Sequence, residues 1–221
     1  MNKKIKEILS LPKSFLFCLR HLPLKSALRC PICISYNTDV RISKGAKIIL
    51  PDNPRFGLVA IGFFCIPSQN EKLRNTFSVN GTIRFKGFSR IGVGATVHVG
   101  WGGQLDIGDN FLITGASSID CRKSITIKDN FLCSKDCYIT DSDQHIIYGL
   151  GGEVINGPAP IIIERDTWVG NGVTILKGSH TPPNCVIGAN SLITAKGSFS
   201  PNTIIAGNPA KSVKEIKCWK K

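Results

Sequence analysis

The chain has 221 residues, is 42% hydrophobic and carries a formal net charge of +13. That length allows one good-sized domain with tails, and the apolar share excludes a disordered protein. Residues 1–30 hold seven Lys/Arg against Glu7, and residues 211–221 hold five Lys against Glu215. The body between the basic ends is therefore nearly neutral, which argues against a nucleic-acid-binding face.

In chain order, the first element is "KEILSLPKSFLFCLRHLPLKSALRCPI". It predicts one or two short amphipathic helices divided by Pro12 and Pro23, with Leu11, Phe15, Leu19 and Leu22 sharing one face. Pro12, Lys13, Arg20 and Pro23 break the apolar stretch from Ile8, which falls far short of a membrane span. No cleavable signal peptide is evident. The expected role is a cap over the start of the core. The rival is docking of this basic, apolar end on an anionic membrane surface. Nine cysteines, an odd number, are scattered through the chain and read as reduced thiols of a cytosolic protein. "CPIC" (Cys30 to Cys33) has no second pair to complete a zinc site.

A six-residue repeat follows. Ile163, Val169, Ile175, Thr181, Ile187, Ile193, Phe199 and Ile205 recur in step, with small or β-branched residues two places earlier. Three places later come Asp166, Gly172, Gly178, Asn184, Asn190, Asn202 and Asn208, interrupted at Lys196. These types tolerate positive φ. Six residues turn a helix by about 240°, so no helical face is preserved, and a flat strand needs period two. Short strands closed by tight corners satisfy the pattern, three to a triangular coil, with every sixth residue inward. Upstream, Ile107, Ile113 and Ile119 keep step. The phase then slips by two, and Ile127, Cys133 and Ile139 resume it. The expected division is a helical cap and lead-in over 1–59, a solenoid of six or seven coils over 60–207, and a basic tail over 208–221.

The stretch "DSDQHIIYGLGGEVINGPAP" (141–160) interrupts the repeat. A solenoid wall is uniform, so chemistry must come from departures from it, and this one is polar at its start and glycine-rich later.

"IGANSLITAKGSFSPNTIIAGNPAK" (187–211) and "DTWVGNGVTILKG" (166–178) resemble the hexapeptide-repeat acyltransferases, over most of residues 80–215. The resemblance implies a left-handed parallel β-helix, an all-β fold. Repeat statistics alone do not give the hand, since parallel crossovers are generally right-handed. "ITIKDNFLCSKDCYITDSDQH" is similar to the sugar O-acetyltransferase branch, in which a catalytic histidine follows the "IGDN" repeat. This implies His145 as general base, taking the hydroxyl proton of an alcohol that is otherwise a poor nucleophile at neutral pH, with Asp143 or Asp141 to orient it. His98 is expected to face outward on an early coil, and His180 to lie at a coil corner.

The resemblance further implies acetyl-coenzyme A as donor, lying along the wall between subunits of a homotrimer. Trp168, Gly170 and Asn171 fall beside its thiol end, Ala189 and Thr194 on later coils. Lys196 stands one place beyond the family's lysine. Lys211 and Lys214 match basic positions near the nucleotide phosphates. No metal site is expected, because the histidine pairs of related γ-carbonic anhydrases have no counterpart. The leading expectation is a cytosolic O-acetyltransferase acting on a sugar of a bacterial surface polysaccharide. The alternatives are N-acetylation of an amino sugar nucleotide, antibiotic acetylation, and a non-catalytic scaffold. The first is disfavoured by the lack of a preceding βαβ pattern, the last by the His145 loop.

Overall fold

The computed structural model describes residues 3–220. Three parallel sheets form the walls of a triangular solenoid. The chain visits sheet I, sheet II and sheet III in rotation, and as far as Cys185–Ile187 each strand pairs in parallel with a strand three places away along the chain. Among the described residues no sheet III strand follows Leu192–Ile193, so Thr203–Gly207 pairs with a strand only two places back. The first coil runs Ile32–Ile34 (sheet I), Thr38–Ile42 (sheet II) and Lys47–Ile49 (sheet III). Three strands thus lie inside the 1–59 segment read from sequence as cap and lead-in. The repeat is poorly legible there because Thr38–Ile42 is long and the next coil carries a long connection over residues 62–74.

The inward track is as expected. Ile163, Val169, Ile175, Thr181, Ile187, Ile193 and Ile205 are fully buried, and Phe199 packs against the core without forming a strand. Each buried aliphatic side chain removes enough apolar surface to stabilise by about 1.5–3 kcal/mol. Asp166, Gly172, Gly178, Asn184, Asn190 and Asn202 have positive φ at the corners. Asparagines at one corner also bond along the stack: Asn110 Nδ2 donates to Asn130 Oδ1 (2.8 Å), and Asn130 Nδ2 to Asp166 Oδ1 (2.9 Å). After Thr203–Gly207 the chain turns back, and Ala210–Glu215 pairs antiparallel along the last strand of sheet I.

The N-terminal segment is one helix, α1 (Lys3–His21), followed by the single turn α2 (Leu24–Ala27). Pro12 does not divide it as expected. The proline lies on the solvent side, where the carbonyl it leaves unbonded can be hydrated. Nor does the face read from sequence pack inward. Leu11, Phe15 and Leu19 are exposed, and only Leu22 is buried. The face against the first coil holds Ser10, Ser14, Phe17 and Cys18 instead.

Candidate active site

The 141–160 loop leaves sheet II after Tyr138–Thr140 and rejoins sheet III at Ile161–Ile163. It is an enlarged corner of one coil. Asp141 begins it and is fully buried. Its carboxylate accepts the backbone N–H groups of Arg122 (2.7 Å), Lys123 (2.8 Å) and Ser124 (2.7 Å). Those three residues form the widened corner of the preceding coil, where the repeat slips by two. The slip and the buried carboxylate are one feature, because the extra amides need an acceptor. Ala159 N donates to Asp141 O (3.0 Å) and closes the neck.

Beyond the neck the loop is ordered. Tyr148 and Val154 form an antiparallel bridge, flanked by Gly149 N to Glu153 O (2.8 Å) and Ile155 N to Ile147 O (3.0 Å). Asn156 ties the two arms together: its Oδ1 accepts Ile147 N (2.7 Å), and its Nδ2 donates to His145 O (2.8 Å) and Asp143 Oδ2 (3.0 Å). Lys177, from the next coil, donates to Asp143 Oδ2 (2.5 Å) and Asn156 O (2.7 Å). The hydrogen bond from Lys177, then that from Asn156, holds the Asp143 carboxyl below its ordinary range. His145 is thus fixed through its backbone, while its ring stands exposed and forms no hydrogen bond among the described residues.

Beside the loop, sheet II presents an outward column in register: Ser78, His98, Asp120 and Thr140. Asp120 accepts Arg122 Nε (3.0 Å) and Gln144 Nε2 (2.6 Å). His98 faces outward as expected, half-buried, with no partner for Nε2 among the described residues. Burial pushes its pKa down, Asp120 opposes this, and Arg122 reinforces it. His180 is exposed at 3.5 Å from Glu164.

The residues expected to hold coenzyme A divide into three places. Gly170, Asn171 and Ala189 occupy the corner between sheets I and II on consecutive coils. A Cβ on Gly170 would meet Ala189 N at 2.8 Å and Ile187 O at 2.9 Å, so the coils stack there too closely for a side chain. Thr194 and Lys196 follow sheet II, on the same corner as the His145 loop one coil beyond Lys177. Ala159, Gly178 and Ala195 stack in a column of small residues along that corner. Trp168 faces outward on sheet I, with Nε1 to Ser134 Oγ (3.3 Å). The return strand bearing Lys211 and Lys214 edges the same sheet. Trp219 leans towards Trp168 with ring centroids 6.2 Å apart and donates to Asp166 O (2.7 Å).

Sequence reasoning missed Lys177, Asn156 and Trp219, and left open what Asp141 does. Two cavities, of about 1120 and 550 Å³, lie beside α1 and beside Trp219. Neither includes a loop residue. No group of three or more metal-ligating side chains occurs among the described residues.

A parallel triangular solenoid interrupted by one ordered, histidine-bearing corner loop fits the acyltransferase class expected from sequence. No family model matches the chain. It is 30% identical over 156 residues to the putative lipopolysaccharide biosynthesis O-acetyl transferase WbbJ of Escherichia coli K12, covering 64% of this chain and 78% of that protein. It is also 30% identical over 122 residues to the galactoside O-acetyltransferase of the same organism, covering 54% of this chain and 58% of the relative. The solved polySia-specific acetyltransferase NeuO shares the fold, with a TM-score of 0.53 at 23% identity, over 86% of this chain and 79% of NeuO. The chain belongs to the hexapeptide-repeat acyltransferase family, in its sugar O-acetyltransferase branch, and its solenoid is the left-handed parallel β-helix.

Proposed function

We propose that the chain transfers an acetyl group from acetyl-coenzyme A to a sugar hydroxyl of a bacterial surface-polysaccharide precursor, in the cytoplasm, as a homotrimer. The observation that carries the reading is the corner loop: a histidine whose backbone is clamped by Asn156 and whose ring is left free. In this scheme His145 takes the hydroxyl proton as the sugar oxygen bonds to the thioester carbonyl carbon. The carbon–sulfur bond then breaks, and the imidazolium returns the proton to the leaving thiolate. Asp143 is a positioning residue: its carboxylate is taken by Lys177 and Asn156, so it fixes the segment that carries His145.

The donor would run along the corner of small residues Ala159, Gly178 and Ala195, with Thr194 beside it. Lys211 and Lys214 would act at its nucleotide end, while Trp168, expected beside the thiol end, stands on sheet I, away from this corner. Two features support a second subunit completing the site. Neither the cavity beside α1 nor the one beside Trp219 includes a loop residue. The loop also exposes Ile146, Ile147, Tyr148, Val154 and Ile155, an apolar arm suited to a neighbour's wall. Cys121, which donates to Asp141 at 3.7 Å beside the loop, is disfavoured as a nucleophile, since it is buried and its thiol is pushed up to about 12, by burial first.

His145→Ala tests the reading. It should lower kcat by roughly 10²–10⁴-fold, the usual range for general acid–base catalysis, and leave coenzyme A affinity and the trimer unchanged. Wild-type turnover by that variant, or an acetylated protein trapped before acceptor is added, would falsify it.

A further inference from the structure

The cap helix is amphipathic the wrong way round. At 100° per residue, Ile5, Ile8, Leu9, Phe15, Leu16 and Leu19 fall within an arc of about 120° on α1, and each is 40–65% exposed. The opposite face, against the first coil, holds Ser10 and Ser14. Their hydroxyls accept Tyr36 N (3.0 Å) and Ile34 N (2.8 Å) and so satisfy amides at the open edge of sheet I. Those serines account for polar residues facing inward on a helix that ends a solenoid. Among the described residues, nothing covers the apolar face turned outward.

That surface continues beyond α1. Leu24 and Leu28, on and after α2, are 67% and 63% exposed and alternate with the exposed Lys25 and Arg29. On the other side, Ile8 and Leu11 run into the cavity of about 1120 Å³, where Phe56 and Phe64 are also exposed. The charge around it is mostly positive: residues 1–30 hold seven Lys/Arg against Glu7, which lines that cavity. A second copy of the chain laid on this face would bring a like basic cluster against the first. An anionic partner with an apolar interior matches both features, and a bilayer is the partner that offers both over a flat area.

We propose that α1 and the Leu24–Arg29 turn dock the protein on an anionic lipid surface, with the outward apolar face entering the headgroup boundary and Arg20, Lys25 and Arg29 meeting lipid phosphates. Binding is peripheral: no helix among the described residues is long and apolar enough to cross a membrane. Ser10 and Ser14 keep the helix on the coil while the opposite side meets lipid, so docking needs no unfolding of the cap.

The test is flotation of the full chain with vesicles of phosphatidylcholine alone and of phosphatidylcholine with phosphatidylglycerol. Binding to the anionic vesicles only, weakening as salt is raised, is expected. The double change Leu9→Ser and Leu16→Ser should reduce partitioning by roughly tenfold or more. Because both positions are exposed, its melting temperature and its transfer to a soluble acceptor should be unchanged. Lys25→Glu with Arg29→Glu should weaken binding through charge alone. Three results overturn the proposal: no flotation with anionic vesicles at low salt, flotation that the Leu9/Leu16 change does not diminish, or a larger assembly in lipid-free solution that the same change dissociates. The last would mean that a second copy covers the face.

Discussion

Asp141→Asn separates anchoring from catalysis at the loop. The carboxylate is fully buried and holds three backbone N–H groups at 2.7–2.8 Å, Arg122 N on one oxygen and Lys123 N and Ser124 N on the other. An amide keeps a single acceptor oxygen. Turned to serve Lys123 and Ser124, it points its NH₂ at the Arg122 N–H and leaves that donor unpaired. An unsatisfied buried donor costs about 1–3 kcal/mol, and losing the charge from the remaining bonds adds roughly another 1 kcal/mol. The expected loss is about 2–4 kcal/mol, equivalent to about 5–15 °C in Tm for a chain of this size. The assay is thermal unfolding at fixed protomer concentration, because assembly makes Tm concentration-dependent. At a temperature where Asp141→Asn is folded, its kcat should fall less than that of Asp143→Asn, which should barely move Tm. A Tm within 1–2 °C of wild type for Asp141→Asn would refute the reasoning, as would a kcat loss matching that of His145→Ala.

Three further outcomes are expected. Lys177→Met removes the ammonium that ties Asp143 to the next coil; kcat should fall by roughly 10–100-fold through a misplaced His145, with partial recovery in Lys177→Arg and little change in KM for acetyl-coenzyme A. Since the Asp143 carboxyl is held below its ordinary range, that anchor is present at neutral pH and lost only as pH falls through its lowered folded value. The Lys177→Met defect should therefore be constant across roughly pH 6–8 in a steady-state pH series. Lys211→Glu, on the exposed return strand, should raise KM for acetyl-coenzyme A far more than it lowers kcat, and an unchanged KM removes Lys211 from the cofactor site. His98 has its pKa lowered by burial, so the unfolded chain binds its proton more tightly. Its contribution is intact above about 6.5 and is lost as pH falls from there towards the folded value. Urea midpoints of wild type should drop on acidification through that window, and the drop should shrink in His98→Gln.

The solenoid was legible because its rule is local. An inward aliphatic every six residues, with Asn, Asp or Gly at the corner, can be read without knowing what lies alongside, and from Ile163 to Ile193 every such residue is buried. The rule failed where the fold pays attention to an end instead of a repeat. The cap expected over the first coil would turn the apolar face of α1 inward. The open edge of sheet I instead selected Ser10 and Ser14 for its unpaired amides. Pro12 was read as a divider although a proline on the solvent face of a helix leaves its orphaned carbonyl to water.

The site was half legible for a related reason. His145 lies in a departure from the repeat, and departures are visible in sequence. Of its supports, Asn156 lies within the loop, and Lys177 comes from the next coil, where finding it requires the offset between coils. Tyr138 pairs with Thr174 and Ile139 with Ile175, an offset of 36 residues that counts the insert as part of the coil. The same offset carries Asp141 to Lys177, so the lysine stands one coil beyond the residue that opens the loop, within reach of Asp143. In a solenoid, then, the partners of a functional loop sit one coil away at a computable position. The length of the insert determines which residue occupies that position. Deleting a pair of residues from the exposed arm between Tyr148 and Val154 changes the count but not the register of the wall, so Lys177 should still reach Asp143 and the variant should keep its fold. A loop clamped at its base by Asn156 and Lys177 should then keep His145 in place. Near-wild-type turnover on a small soluble sugar, with weakened assembly measured by light scattering, is the outcome that follows if the tip serves the neighbouring subunit and the base serves the chemistry.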